Sequence, residues 1–273
     1  MFLTSERFKS IISGIYTLKV KSMTKVAVKN GDHHSDGRLP PSSGAPQTLT
    51  LEIALDRLRN GVTMAPSSEF PDAVNARLVS AAQTAARQCA KVPPAASRGV
   101  LALLDIAVKA PTAVQRVAWH RRAADALARG FAPHSACREG CNHCCHIPVK
   151  ISAVEARSLG KAIGRAPVPL SEHGPAAVAG YASPCPFLAG GRCSIYAQRP
   201  AVCRSHLNMD EDALLCELLP SGSEVPVPYV DTRALLAVSV LIAGEPMNAA
   251  DLRQWFPAPA NTGESVPNSN SKG

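Results

Sequence analysis

The chain has 273 residues, 46% of them hydrophobic but only 4% aromatic, so it is long enough to bury a core built largely from small side chains. The formal charge is +8, yet no basic run interleaves with aromatics, so the charge reads as solubility and nucleic acid is not an expected partner. No stretch approaches the ~20 apolar residues of a membrane span, and the start lacks a signal-peptide pattern, so a soluble protein of the cytoplasm is expected.

Residues 1–66 are expected to be poorly ordered. Lys19, Lys21, Lys25 and Lys29 alternate along it, and residues 31–47 are rich in Gly, Ser, Pro and His. Such composition buries too little apolar area to offset chain entropy. A short helix carrying Leu51, Ile53, Leu55 and Leu58 and ending near Gly61 is the exception. Met23 and Met64 are alternative starts, and the His33-His34 pair in this tail is not read as a metal site.

From Pro71 the pattern turns helical: Ala73, Val74, Leu78, Ala81, Ala82 and Ala85 recur at helix spacing. Cys89 falls near the end of this helix as a small buried hydrophobe, and Pro93-Pro94 is expected to end it. Residues 100–108 form a second, short helix. Thr112-Ala-Val-Gln115 is a capping box opening a third, with Val114, Val117, Ala118 and Leu127 inward, Trp119 in the core, and Gly130 as its stop. His120, Arg121 and Arg122 are expected on a solvated face.

The next segment, Cys137-Arg-Glu-Gly-Cys141-Asn-His-Cys144-Cys145-His, places four thiols within nine residues. An extended piece over Ile147–Ile151 follows, then a helix opened by Ser152-Ala-Val-Glu155 and running to about Ile163. Residues 164–182 read as loop, with a short helix before Gly180 as the alternative. Cys185 and Cys193 flank a Gly190-Gly191 turn as a knuckle, and Cys203 follows soon after. Asp210 is expected to cap a helix from Glu211 to Leu219 that carries Cys216. A final apolar helix spans Asp231–Ala243, and the tail from Pro257 is polar.

Nine cysteines cannot all pair internally. In a reducing compartment, clustered thiols serve metal rather than disulfides. Thiolates hold tetrahedral Zn(II) at about 2.3 Å and also hold iron–sulfur clusters. Donors a few residues apart, as in Cys137-x3-Cys141-x2-Cys144, let a short loop curl around an ion. Adjacent side chains diverge, so Cys144 and Cys145 reach one ion only with strain. Either two metals share this loop or one thiol is free. His143 and His146 are the nearest imidazoles. The candidate ligand pool is Cys137, Cys141, Cys144, Cys145, Cys185, Cys193 and Cys203. Cys216, beside Leu214, Leu215 and Leu218, is read equally as ligand or as core. Arg192 and Arg204 sit next to thiols, where positive charge favours thiolate.

Cys137-x3-Cys141-x2-Cys144-Cys145, with Cys185-Pro-Phe-Leu, Gly191-Arg-Cys193-Ser-Ile-Tyr196 and Arg199-Pro-Ala-Val-Cys203-Arg204, resembles the bacterial cysteine-cluster family. That family is described as a zinc- or iron-chelating domain with a CxxCxxCC signature. The resemblance covers roughly residues 134–207. The first spacing here is three residues rather than two, which bears on the ion and loop geometry preferred. The resemblance implies metal binding, with zinc, iron or a [4Fe-4S] cluster as cofactor. Some relatives are linked to lysine N-methylation of flagellin, but no settled reaction follows.

The expected fold is mainly α, a helical scaffold around a loop-rich cysteine metal-binding centre with few short strands. Its expected parts are the tail 1–66, a helical region 67–133, a cysteine-cluster domain 134–256 and a tail 257–273. Three functions compete: a metal or cluster protein, a structural zinc module presenting a surface to protein or nucleic acid, and a thiol redox sensor. A four-thiolate iron–sulfur centre supports electron transfer or radical methyl transfer. No strand is followed by a Gly-rich loop and helix, so no nucleotide pocket supports an enzyme. A protein partner is left open.

Overall fold

The computed structural model describes residues 65–243 and 248–258. The expected short helix ending near Gly61 and the His33-His34 pair lie outside them. Among the described residues seven α-helices and four very short strands occur, so the chain is mainly α, as its composition implies.

Helix α1 (Asp72–Ala90) begins one residue after Pro71, which serves as its N-cap. It buries Val74, Leu78, Ala81 and Thr84, while Ala73 and Ala82 of the expected apolar face are exposed. Alanine is a good helix former but a weak indicator of facing, because its methyl gains little by burial. Helix α2 (Pro94–Lys109) starts at Pro94 and is longer than expected. The second proline therefore opens a helix rather than merely ending one, as its fixed φ and missing N–H allow at the first turn.

Helix α3 (Ala113–Phe131) opens with the Thr112/Gln115 capping box, as expected. Val117 and Leu127 face inward, but Val114 and Ala118 are exposed. His120 reverses the solvated-face expectation: it is buried, and its Nε2 lies 3.0 Å from the Leu235 carbonyl. Trp119 packs at the edge of the core, with the Arg122 guanidinium 4.4 Å over its ring. Gly130 does not stop the helix. A Cβ there would lie 2.9 Å from Ala96 Cβ, so this glycine lets α2 and α3 approach closely.

Strand β1 (Lys150–Ser152) leads into α4 (Ala153–Ile163), with Ser152 Oγ accepting the Glu155 amide. Gly164, at φ 69°, ends α4 in the left-handed conformation. Hairpin strands β2 (Leu188–Ala189) and β3 (Arg192–Cys193) pair antiparallel across Gly190 and Gly191, at φ 56° and 76°. Two successive residues at positive φ make the tight hairpin turn that the Gly-Gly pair forecast. Helix α5 (Ala201–Ser205) follows, then α6 (Arg233–Ala243), strand β4 (Ala249–Asp251) and α7 (Leu252–Trp255). Strand β4 pairs antiparallel with β1, Ile151 opposite Ala250.

The expected helix over Glu211–Leu219 is absent; only a single tight turn, Leu214–Cys216, forms there. Asp212 Oδ1 takes the Leu214 amide at 3.0 Å, and both Asp212 oxygens are held by Arg77 of α1. Side-chain acceptors of this kind compete with the helix ladder. Asp210 is not a helix cap. It is fully buried and paired with Arg77 at 3.1 Å.

Three apolar cores result. The largest joins α2 and α3 to α5 and α6 through Leu104, Val117, Leu127, Met209 and Val238. A second packs α4 against β4 and α7 through Ile151, Leu159, Phe187, Trp255 and Phe256. The third lies between α1 and the Leu214–Cys216 turn, through Leu78, Leu215 and Val227. The cysteines sit in the loops where these cores meet: Cys137 against the first, Cys185 and Cys193 against the second, Cys216 against the third.

Candidate metal centre

The upstream thiols are carried by an irregular loop. Gly140, at φ 88°, turns the chain, and the Cys141 amide closes on the Arg138 carbonyl at 3.1 Å. His143–His146 then form one 3-10 turn containing Cys144 and Cys145. At three residues per turn, neighbouring side chains leave such a turn about 120° apart. The downstream thiols are on the hairpin, on α5 and on the Leu214–Cys216 turn.

Backbone hydrogen bonds bring the two groups together. The Cys185 amide donates to the Cys145 carbonyl at 2.7 Å, and the Gly180 amide to the His146 carbonyl at 2.9 Å. Arg253, at the start of α7, reinforces this junction. It donates to the carbonyls of Cys145 (3.2 Å), Ile147 (3.0 Å) and Ser183 (2.9 Å), and it is backed by Asp251 at 3.3 Å. One guanidinium therefore ties both cysteine loops to a terminal helix more than a hundred residues after Cys145. Nothing in the cysteine motifs points to Arg253. The available signal is Asp251-Leu-Arg-Gln254, a capping box that α7 forms in full.

A second set of contacts holds Cys216 near the upstream loop. The Ala136 amide donates to the Asn208 carbonyl at 2.8 Å, and Asn208 Nδ2 donates to Cys216 Sγ at 3.3 Å. Cys137 Sγ lies 4.0 Å from the His206 carbonyl. Tyr181 Oη is 2.8 Å from His143 Nδ1 and accepts the Leu218 amide at 3.2 Å, joining the two segments again.

Cys203 is placed from beneath. Glu155 does not complete the expected capping box on its own helix; its Oε1 accepts the Ala201 amide at 2.9 Å, at the start of the helix that carries Cys203. Burial pushes the Glu155 carboxyl up, against the pull of the Ala201 amide and of Arg121 and Arg204. Arg204 itself bonds Asp125 of α3 and the carbonyls of Arg199 and Ala197.

All nine cysteines are free thiols, Cys144 exposed and the others half-buried. Among the described residues no three His, Cys, Asp or Glu side chains are already gathered at metal-ligand spacing. What the fold provides is a neighbourhood in which the thiols act on one another electrostatically. Cys185, Cys193 and Cys203 each feel Cys145, Cys216 feels Cys137 and Cys141, Cys141 feels both Cys137 and Cys145, and Cys144 feels Cys145, Cys203 and Cys137. The Cys144 and Cys145 thiols act on each other, which holds Cys144 well above the ordinary thiol range and lowers Cys145, aided by Arg199 and Arg253. Burial pushes Cys185 up to about 11 and Cys216 up to about 12, and it raises Cys203 as well. Cys89 stands apart, at the edge of the first core, its thiol raised by burial as for a packing residue.

The donor chemistry fits a thiophilic ion. Amides two residues beyond the sulfur, those of His143, Phe187 and Ile195, donate to Cys141, Cys185 and Cys193. Such N–H donors stabilise the thiolate form that metal binding needs, and a bound cation removes the penalty that burial imposes on the charged sulfur. The imidazoles fit less well: His143 is engaged by Tyr181, and the His146 ring stacks edge-on against Tyr181 at 4.9 Å, its buried Nδ1 without a partner. Arg192 does not serve a thiol directly but pairs with Glu139 at 3.3 Å, hairpin to upstream loop.

Comparison with known proteins gives one result. Residues 136–218 match a family model described as "CxxCxxCC: Putative zinc- or iron-chelating domain". The match runs farther than residue 207, the expected limit, and takes in Cys216. No curated protein and no solved structure matches the chain. Among the described residues no helix is long and apolar enough to cross a membrane.

Proposed function

We propose that the chain is a cytoplasmic metal-binding protein whose clustered thiolates, Cys137, Cys141, Cys144, Cys145, Cys185, Cys193 and Cys203, hold zinc or iron. The observation that carries this reading is the junction at Cys145. A hydrogen bond from the Cys185 amide and the Arg253 clamp bring two loops rich in thiols to one place, far apart in sequence. Thiols this numerous at a loop junction serve poorly as core filling.

Bound zinc would fix the loops, whereas a [4Fe-4S] cluster would add one-electron chemistry. The chain's own contribution is the same in either case. Amides at the sulfurs favour thiolate, Arg199 and Arg253 offset its charge at Cys145, and Glu155 fixes the helix carrying Cys203. A purely structural zinc module, with its surface offered to a protein partner, rests on the same junction, and the metal decides between the two. The redox-sensor reading draws on the adjacent Cys144 and Cys145 thiols and the lowered Cys145 pKa.

The test is anaerobic purification in reducing buffer with metal analysis and an absorption spectrum. A brown protein absorbing at about 400 nm and bleached by dithionite identifies iron–sulfur. A colourless protein with stoichiometric zinc identifies the structural module. Protein that holds neither metal and keeps its fold overturns the proposal.

A further inference from the structure

We propose that residues 174–183 form a strap that Tyr181 latches to the His143–His146 turn, and that unlatching is the step that frees Cys144 and Cys145 to close on an ion. The proposal rests on the metal-binding reading above and gives that site an entry step.

Helix α7 fastens both ends of the strap. At one end Gln254 Nε2 donates to the Gly174 carbonyl at 2.7 Å, and the His173 ring meets Trp255 edge-on at 4.6 Å. At the other, Arg253 Nε donates to the carbonyls of Ser183 at 2.9 Å and Pro184 at 3.3 Å. Neighbouring residues of one short helix hold the two ends, so the span is a loop whose ends stay together while its middle can move.

That middle is lightly held. Among the described residues no backbone hydrogen bond involves residues 175–179, and no helix or strand lies between Glu172 and Leu188. Val178 is 71% exposed, and Pro175, Ala176 and Ala179 are exposed beside it. A segment with few backbone bonds and little burial opens at low cost.

Two adjacent residues make the latch. The Gly180 amide donates to the His146 carbonyl at 2.9 Å. The Tyr181 ring stands edge-on to His146 at 4.9 Å and to His143 at 6.1 Å. Its Oη lies 2.8 Å from His143 Nδ1 and accepts the Leu218 amide at 3.2 Å. One side chain therefore pins the turn that carries Cys144 and Cys145 to the segment that follows Cys216. The latch is also reversible in character. Tyr181 is 48% exposed, so water competes for its hydroxyl, and the closed form keeps His146 Nδ1 buried without a partner. An unsatisfied buried polar atom penalises the closed form, and opening returns it to water.

The link to the thiols is geometric. Among the described residues no three ligating side chains are gathered, so sulfurs must re-aim before they can surround an ion. A turn pinned at both His143 and His146 cannot re-aim Cys144 and Cys145 between them; a released turn can. Capture then exchanges thiol protons, lost to solvent, for the ion, with no change in oxidation state.

The test uses the full-length chain, reduced, metal-free and anaerobic. Hydrogen exchange of the wild type should give the Gly180 and Leu218 amides the same protection, well below that of the Leu252 amide, which is bonded to Val149 at 2.8 Å. Tyr181→Phe keeps the ring and removes the hydroxyl. It should lower protection at Gly180 and Leu218 by about tenfold and leave Leu252 unchanged. Cd(II) uptake, followed by thiolate-to-metal absorption in stopped flow, should quicken by the same factor, with the number of ions bound unchanged. Unequal protection of Gly180 and Leu218 in wild type overturns the strap, and so does unchanged protection in Tyr181→Phe with its helical circular dichroism intact. Faster exchange with an unchanged uptake rate overturns the entry step. The wild-type comparison needs no substitution, so it decides the strap even where the variant fails to fold. Wild-type chain that takes up no cadmium overturns the metal-binding reading and the entry step with it, a different result from uptake at an unchanged rate.

Discussion

The amide of Cys185 donates to the carbonyl of Cys145 at 2.7 Å, so two cysteines forty residues apart share a peptide hydrogen bond beside their thiols. That bond fixes the loops whether or not an ion is bound. It makes the residues that support the junction the natural places to perturb.

Arg253 is the first of these. It is nearly buried, pairs with Asp251, and supplies the donors for carbonyls in both cysteine loops. Arg253→Met keeps the alkyl packing but leaves Asp251 as an uncompensated buried charge. Removing one partner of a buried pair costs about 3–5 kcal/mol. Urea unfolding should show a loss of this order. A change below about 1 kcal/mol, within the range of a surface pair, would sink the clamp.

Glu155 separates a hydrogen-bonding role from a charge role. Its carboxylate caps the helix that carries Cys203 by accepting the Ala201 amide. Glu155→Gln retains an acceptor and should be tolerated. Glu155→Ala leaves that amide unpaired in the interior and opens space beside it, at a cost of about 2–4 kcal/mol. Chemical denaturation of the two variants side by side is decisive: equal losses would mean the hydrogen bond to Ala201 is not what Glu155 provides.

His120 gives a pH dependence with a definite sign. Burial lowers its pKa to about 4, against an ordinary value of 6.5, although the Leu235 carbonyl works the other way. The unfolded chain therefore binds the proton first as pH falls. Stability from the neutral ring is present above pH 6.5, declines through the window from about 6.5 to 4, and levels off below it. Between pH 7 and 5 the loss is about 2 kcal/mol. Urea midpoints of metal-free wild type and His120→Gln, compared at both pH values, should converge by that amount at pH 5. Parallel losses would show that the ring titrates normally.

Gly130 sets two known effects against each other. Alanine in a helix interior gains about 1 kcal/mol over glycine by propensity. Here its Cβ would meet Ala96 Cβ at 2.9 Å, and Ala96 has no longer side chain to swing away. Overpacking costs about 1–3 kcal/mol, so Gly130→Ala should be neutral to destabilising. A clear rise in thermal midpoint would show that α2 and α3 separate freely.

The parts legible in the sequence were those with local causes. The Thr112 capping box, the Gly190-Gly191 hairpin turn, the Gly140 turn and the helix into Ile163 all depend on residues within a few positions of one another. Facing and competition are not local. Val114 and His120 exchanged places because a helical periodicity does not say which stripe meets a neighbour. The helix around Cys216 gave way because Arg77, from another helix, holds Asp212 in a turn. The short α7 and its strand leave no local signal of their length, since their stability comes from packing Trp255 and Phe256 onto α4.

The sequence by itself determined the chemistry on offer: eight thiols in closely spaced groups, and turns flexible enough to curl around an ion. Spacing along the chain fixes which sulfurs are near neighbours. Only the tertiary structure decided the company each one keeps, because Cys144 and Cys145 are adjacent in sequence yet directed differently by a tight turn. It also brought Cys216 back to Cys137 through one asparagine, and it drew Arg253 from the far end of the chain to the junction. Those placements depend on how three apolar cores pack, which no local pattern encodes.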